Sequence, residues 1–82
     1  MNAESAIADG VKKYGPLGAA RRSSLMTQGE LAKKLGCSTP VIVELEKHPE
    51  GITLEQLGKW YQLVRVDGKA IIEQYVNDFF IA

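Results

Sequence analysis

Hydrophobic residues recur along this 82-residue chain three or four positions apart, which is the spacing of one helix face. No segment alternates convincingly with the period of two that a half-buried strand requires. The first segment, 3–14, carries its apolar residues at Ala3, Ile7, Val11 and Tyr14. Gly15 closes that segment, and Pro16 suits the first turn of a second short helix running to about Ser24. The pattern predicts an all-α protein.

A capping box marks the clearest helix start. The Thr27 hydroxyl can accept from the amide of Glu30 while the Glu30 carboxylate reaches back to Thr27. Met26 and Leu31 flank the box as a hydrophobic staple. This helix is expected to end at Gly36, because glycine readily adopts the left-handed conformation that stops helices.

The next helix, about 39–47, follows after only a two-residue turn. Ser38 can cap it, and Pro40 falls in its first turn, where proline is tolerated. Its inward face is expected to hold Ile42 and Leu45. We therefore predict two short helices joined by a tight glycine turn.

Two further helices complete the pattern beyond a loop at 48–51. Thr53 and Gln56 repeat the capping box, and the buried stripe of that helix is expected to be Leu54, Leu57, Tyr61 and Val64. Asp67 is expected to cap a last helix, about 68–81. The prediction is a compact four- to five-helix bundle in a single domain, 1–82.

Composition narrows the classes of function. Cys37 and His48 are each the sole residue of their type, which excludes an internal disulfide and a multi-ligand Cys/His zinc site. Apolar runs are too short to span a membrane, and the first residues lack the pattern of a secretory signal. With no visible nucleophile–base pair, we expect a cytoplasmic protein that is not an enzyme and needs no metal or cofactor.

A helix pair with a tight turn is typical of a helix-turn-helix, in which the second helix enters the DNA major groove. The run Thr27-Gln28-Gly29-Glu30-Leu31-Ala32-Lys33-Lys34-Leu35-Gly36-Cys37-Ser38, followed by Ile42, Leu45 and Glu46, resembles the Cro/Xre-type family of phage and bacterial repressors. The resemblance runs through 26–46 and more loosely to about 64. It implies a helix-turn-helix core of about 16–64 in a repressor-like, sequence-specific regulator that binds double-stranded DNA as a dimer on a palindromic operator.

The resemblance also implies roles for particular residues. The positions that face base edges match Thr39, Pro40, Val43 and Glu44. The candidate phosphate contacts are Gln28, Ser38, Arg22 and Lys47, with Lys12 and Lys13 flanking the groove. Glu46 matches the family's acidic residue at the end of the recognition helix, and counting back gives Arg21 as its partner in a structural ion pair.

The charge distribution leaves a second function open. Ten basic residues balance ten acidic ones. Residues 1–36 hold six basic and three acidic residues, a net charge of +3, and 37–82 hold four and seven, a net charge of −3. The expected reading surface offers few side chains that match base-edge donors and acceptors. The alternative is a protein-interaction module on the same fold, antitoxin-like or partner-binding, with weak or no DNA binding.

The last helix has apolar residues on more than one face. We expect a homodimer interface formed by Ile71, Tyr75, Phe79 and Phe80, because large contiguous exposed apolar surface usually marks an interface. A two-fold dimer would space its recognition helices about 34 Å apart, one turn of DNA. The alternative is that this helix simply closes a five-helix core around Trp60.

Overall fold

The computed structural model describes the backbone of residues 3–81 and the side chains of residues 9–79. Five α-helices follow one another: α1 (Ala3–Ser23), α2 (Gln28–Leu35), α3 (Thr39–Lys47), α4 (Leu54–Leu63) and α5 (Val66–Val76). A 3₁₀ turn, Pro49–Gly51, follows α3, and a π-helical turn, Asn77–Ile81, follows α5. The described part of the chain holds no strand, so the predicted all-α bundle is confirmed.

Helix α1 is sharply kinked at Gly15, where the sequence places a boundary between two helices. Gly15 has φ +76°, in the region that favours glycine, and Pro16 opens the second half of the helix. The two helices predicted on either side of Gly15 therefore follow one another without a loop. A Cβ atom at Gly15 would lie 3.1 Å from the carbonyl oxygen of Glu46, so the kink brings α1 against the C-terminal end of α3.

Both predicted capping boxes are confirmed. The hydroxyl of Thr27 accepts from the amide of Glu30 at 3.0 Å, and Thr53 accepts from the amide of Gln56 at 3.1 Å. Gly36 ends α2 in the left-handed conformation with φ +74°. These local signals place the helix boundaries because each satisfies backbone groups that the helix itself leaves without a partner.

Two predicted caps differ from the structure. Ser38 occupies the N-cap position of α3, but its hydroxyl makes no cap hydrogen bond. Helix α5 begins after Arg65, and Asp67 lies within its first turn. The Arg65 amide donates to Ser24 Oγ at 2.8 Å, so the side chain of the residue that follows α1 anchors the start of α5.

The core lies where α1 and α5 pack together against the other helices. Its largest fully buried side chains are Trp60, Leu17, Leu31, Ile42 and Ile72. Helices α1 and α5 approach closely at Gly68, where a Cβ atom would lie 2.9 Å from the carbonyl oxygen of Ala20. Glycine is required there because no side chain fits between the two backbones.

The predicted buried stripe of α4 is partly wrong. Leu54 is exposed, while Leu57 and Tyr61 are only half-buried. The buried face is centred on Trp60 and Val64, one helical turn apart. Leu54 is the first residue of α4 and is 84% exposed.

The predicted dimer interface needs a correction. Ile71 is 5% exposed and Tyr75 is 7% exposed, so both are buried within a single chain and offer almost no surface to a dimer interface. The close approach at Gly68 turns this face of α5 toward α1. Phe79 is 69% exposed and its ring lies 4.7 Å from that of Tyr75. The side chain of Phe80 lies outside the described residues.

Candidate nucleic-acid interface

Helices α2 and α3 form the two arms of a helix-turn-helix arrangement. Leu31 and Ala32 of α2 are buried in the same core cluster as Ile42 and Leu45 of α3, as their positions in the sequence predict. The turn between them is short because the amides of Gly36 and Cys37 bond back to carbonyls of the last turn of α2. The outward face of α3 is thereby held away from the core.

A cluster of three side chains, Arg21, Gln28 and Glu46, ties α3 to both preceding helices. Arg21 Nε donates to Glu46 Oε2 at 2.6 Å, and Arg21 Nη2 donates to Glu46 Oε1 at 3.2 Å. The two side chains are 8% and 9% exposed. The structure therefore contains the ion pair that the resemblance implies. We call these three residues the Glu46 cluster.

Gln28 completes the Glu46 cluster from the first residue of α2. Its Nε2 donates to Glu46 Oε1 at 3.0 Å. Arg21 Nη1 also donates to the carbonyl oxygen of Met26 at 2.8 Å, just before α2 begins. The two charge-assisted bonds from Arg21 to the Glu46 carboxylate form a bidentate pair, and such pairs fix orientation as well as adding energy. The cluster sets the position of the end of α3 relative to α1 and α2.

Most of the predicted base-reading residues lie on the surface. Thr39, Pro40 and Glu44 are exposed, and Val43 is half-buried. Sequence reasoning missed Val41, which is also exposed. Spacing alone could not have found it, because Val41 and Ile42 precede Leu45 by four and three residues and both spacings lie on one helix face.

The predicted phosphate contacts have different surroundings. Ser38 and Lys47 are exposed, whereas Gln28 is half-buried and already bonded to Glu46. Arg22 is exposed, and its Cζ lies 4.0 Å from the centroid of the Tyr14 ring. Tyr14, one of the apolar positions of the first predicted segment, is half-buried beside this cation.

The two neighbouring lysines of α1 lie on different sides of the helix. Lys13 lines a cavity of about 340 Å³ together with Gln28, Val43 and Lys47. Lys12 lines an apolar groove between α1 and α5, whose walls include Ile71 and Phe79. Of the pair predicted to flank the DNA groove, only Lys13 lies beside α3.

No family model, curated protein or solved structure matches this chain.

The outward face of α3 combines several kinds of side chain. Its side chains are hydrogen-bond donors, acceptors and apolar groups on one short helix, with cations at one edge. At the other edge His48 lies between Glu44 and Glu50, at 3.9 and 3.4 Å, and all three are well exposed. Within the described residues no group of three His, Cys, Asp or Glu could hold a metal ion, and no helix is long and apolar enough to cross a membrane.

Proposed function

We propose that this protein is a sequence-specific DNA-binding regulator that inserts α3 into the major groove and acts as a dimer. The observation that carries the proposal is the way α3 is held. Its inner face is buried in the core, its C-terminal end is fixed by the Glu46 cluster, and its outer face is exposed. A short helix held rigidly with one face free is what major-groove reading requires.

The reading chemistry that this face offers is partly apolar. Pro40 and Val41 offer only carbon contacts, which suit the methyl group of thymine. Thr39 can donate or accept, and Glu44 can accept from the amino group of cytosine. We expect a preference for thymine-containing half-sites, reinforced by the shape of the DNA.

A salt series on DNA binding tests the proposal directly. Lys13 and Lys47 line the cavity beside α3, and Arg22 lies against Tyr14 at its edge. Each phosphate contact made by such a cation contributes a slope of about −0.9 to the logarithmic salt dependence. Three contacts give an affinity loss of about 40-fold between about 50 and about 200 mM salt. Fluorescence anisotropy with pooled genomic fragments measures this loss. If no fragment binds at the lower salt, the protein does not bind DNA.

Two variants separate positioning from reading. Gln28→Ala removes a donor and loosens the Glu46 cluster, so affinity should fall for every sequence. Val43→Ala should change the preference at one base step with little effect on the salt slope. Lys59→Gln is the control, since Lys59 lies on α4 and pairs with Glu55 at 3.2 Å. Equal binding by all three variants and the parent would show that α3 is not the reading helix.

The dimer part of the proposal rests on Phe79. This exposed ring borders the apolar groove between α1 and α5, which has a volume of about 820 Å³. Sedimentation velocity at micromolar concentration should show a dimer for the parent and a monomer for Phe79→Asp. A parent that is monomeric both free and on DNA would remove the dimer from the proposal.

A protein partner for the same surface is the second candidate function. The apolar residues Pro40 and Val41 beside Glu44 favour it, because this mixture suits a protein surface as well as DNA. The two functions differ in their salt dependence, since a largely apolar protein contact lacks the steep counterion release of DNA binding.

A further inference from the structure

We propose that the cavity between the kink of α1 and the end of α3 holds one phosphodiester group of the DNA backbone, bound by Lys13, Lys47 and Gln28. The inference deepens the proposed function and rests on it. It makes the first half of α1, which precedes the helix-turn-helix, part of the DNA-binding surface. Sequence reasoning placed Lys12 and Lys13 together at the edge of the groove and could not separate them.

The cavity has the right lining for an anion. Two lysines line it: Lys13, from the last turn before the kink, and Lys47, from the last turn of α3. Gln28 lines the cavity as well, from the first residue of α2. The volume of about 340 Å³ is roughly ten times the 30 Å³ that one water occupies in the liquid, which is enough for a phosphate group with its remaining hydration.

Glu46 also lines this cavity, but its charge is already compensated. One carboxylate oxygen accepts from Arg21 Nε, and the other accepts from Arg21 Nη2 and from Gln28. The side chain is 9% exposed. Because Arg21 compensates the charge of this carboxylate, the two lysines carry the remaining charge of the cavity wall. The cavity therefore favours an anion.

Tyr14 holds cations at the edge of the cavity. Lys13 Nζ lies 5.3 Å from the centroid of its ring and Arg22 Cζ lies 4.0 Å from it. Contacts between a cation and an aromatic ring at these distances are attractive. They also restrict two long side chains before any ligand arrives, which lowers the entropy lost on binding.

The kink at Gly15 creates this arrangement. Gly15 is itself part of the cavity wall, and a Cβ atom there would lie 3.1 Å from the backbone of Glu46. Its positive φ turns the first half of α1 so that Lys13 lies beside α3, while Lys12 lies along the groove toward α5. Two adjacent lysines with the same charge thus have different surroundings.

Lys13→Gln and Lys12→Gln form a matched pair for the test. Both remove one positive charge from the same exposed turn, so any effect of overall charge is shared. For Lys13→Gln we expect the DNA affinity loss between about 50 and about 200 mM salt to shrink from about 40-fold to about 12-fold, as one phosphate contact is lost. Lys12→Gln should show the same salt dependence of DNA affinity as the parent. Equal slopes for the two variants would overturn the inference while leaving DNA binding itself intact.

Inorganic phosphate tests the cavity independently of DNA. Titration into the isotope-labelled protein should shift the side-chain amide signal of Gln28 and the backbone amides around Lys13, and Lys13→Gln should abolish these shifts. No shift at these positions in the parent would overturn the inference. If phosphate shifts them but no DNA fragment binds, the anion site stands and the proposed function fails.

Discussion

Removing Glu46 should destabilise the protein far more than removing a surface ion pair. Glu46→Leu leaves the Arg21 guanidinium 8% exposed with its partner gone. Breaking a buried pair from one side costs about 3–5 kcal/mol, and the slight exposure of this pair places it near the lower end, about 3 kcal/mol. A chain of this size has a total stability of about 4–12 kcal/mol, so one substitution removes a large share of it.

The double variant Arg21→Met/Glu46→Leu gives the decisive comparison. It replaces both charges with apolar groups, which is often close to neutral for buried pairs. We expect it to be more stable than either single variant, which requires a coupling energy larger than either single loss, above about 3 kcal/mol. The control is Lys59→Ala, which breaks the largely exposed pair with Glu55 and should cost less than about 1 kcal/mol.

Urea unfolding followed by the fluorescence of Trp60 measures all four variants. Trp60 is the only tryptophan and is fully buried, so its emission reports exposure of the core. With a denaturant slope of about 1 kcal/mol per M, a loss of 3 kcal/mol moves the midpoint by about 3 M. A loss below about 1 kcal/mol for Glu46→Leu, or single losses that simply add in the double variant, would refute this view of the Glu46 cluster.

Four more substitutions test three separate features of the fold. Gly68→Ala should destabilise the protein by about 1–3 kcal/mol because its methyl group would meet the backbone of α1. Gly58 has open space around it, so Gly58→Ala should stabilise the protein by about 0.5–1 kcal/mol. Urea midpoints that shift in the same direction for both variants would contradict this. Leu25→Asn should raise the thermal midpoint by relieving about 1 kcal/mol of strain at φ +60°, and a lower midpoint would show that the exposed leucine makes a needed contact. The hydrogen bond to Glu73 raises the pKa of Tyr61 above 10.0, so the stability that this bond contributes is present below pH 10.0 and is lost as pH rises through the folded-state pKa. Over that pH range Tyr61→Phe should lose less stability than the parent, and equal losses in the two proteins would contradict this.

The helix boundaries were predictable because the signals that set them are local. Each capping box lies within four residues, and Gly36 stops α2 by its own backbone preference. The pairing of Arg21 with Glu46, 25 residues apart, is a different case. Its assignment depended on resemblance to a family, since nothing in the spacing alone brings two separate helices together.

The faces of α5 and α1 were not predictable from periodicity. Ile71 and Tyr75 lie in the core because Gly68 lets α5 approach α1 closely, and this contact joins residues almost 50 positions apart. The direction in which Lys13 leaves α1 depends on the backbone angles of Gly15. A hydrophobic pattern shows that a helix has an apolar face, and the rotation of that face is set by its neighbours.

The Glu46 cluster changes what the charge gradient means for DNA binding. Arg21 contributes to the net +3 of residues 1–36, but it is buried against Glu46 and offers no charge to a phosphate. Lys12 lies toward α5, so the field around α3 depends on Lys13, Arg22 and Lys47, opposed by Glu44. Electrostatic attraction over long distances is therefore weak. Specific affinity must then come from close contacts along α3, which makes the orientation of that helix, and so the Glu46 cluster, the main determinant of recognition under the proposed function.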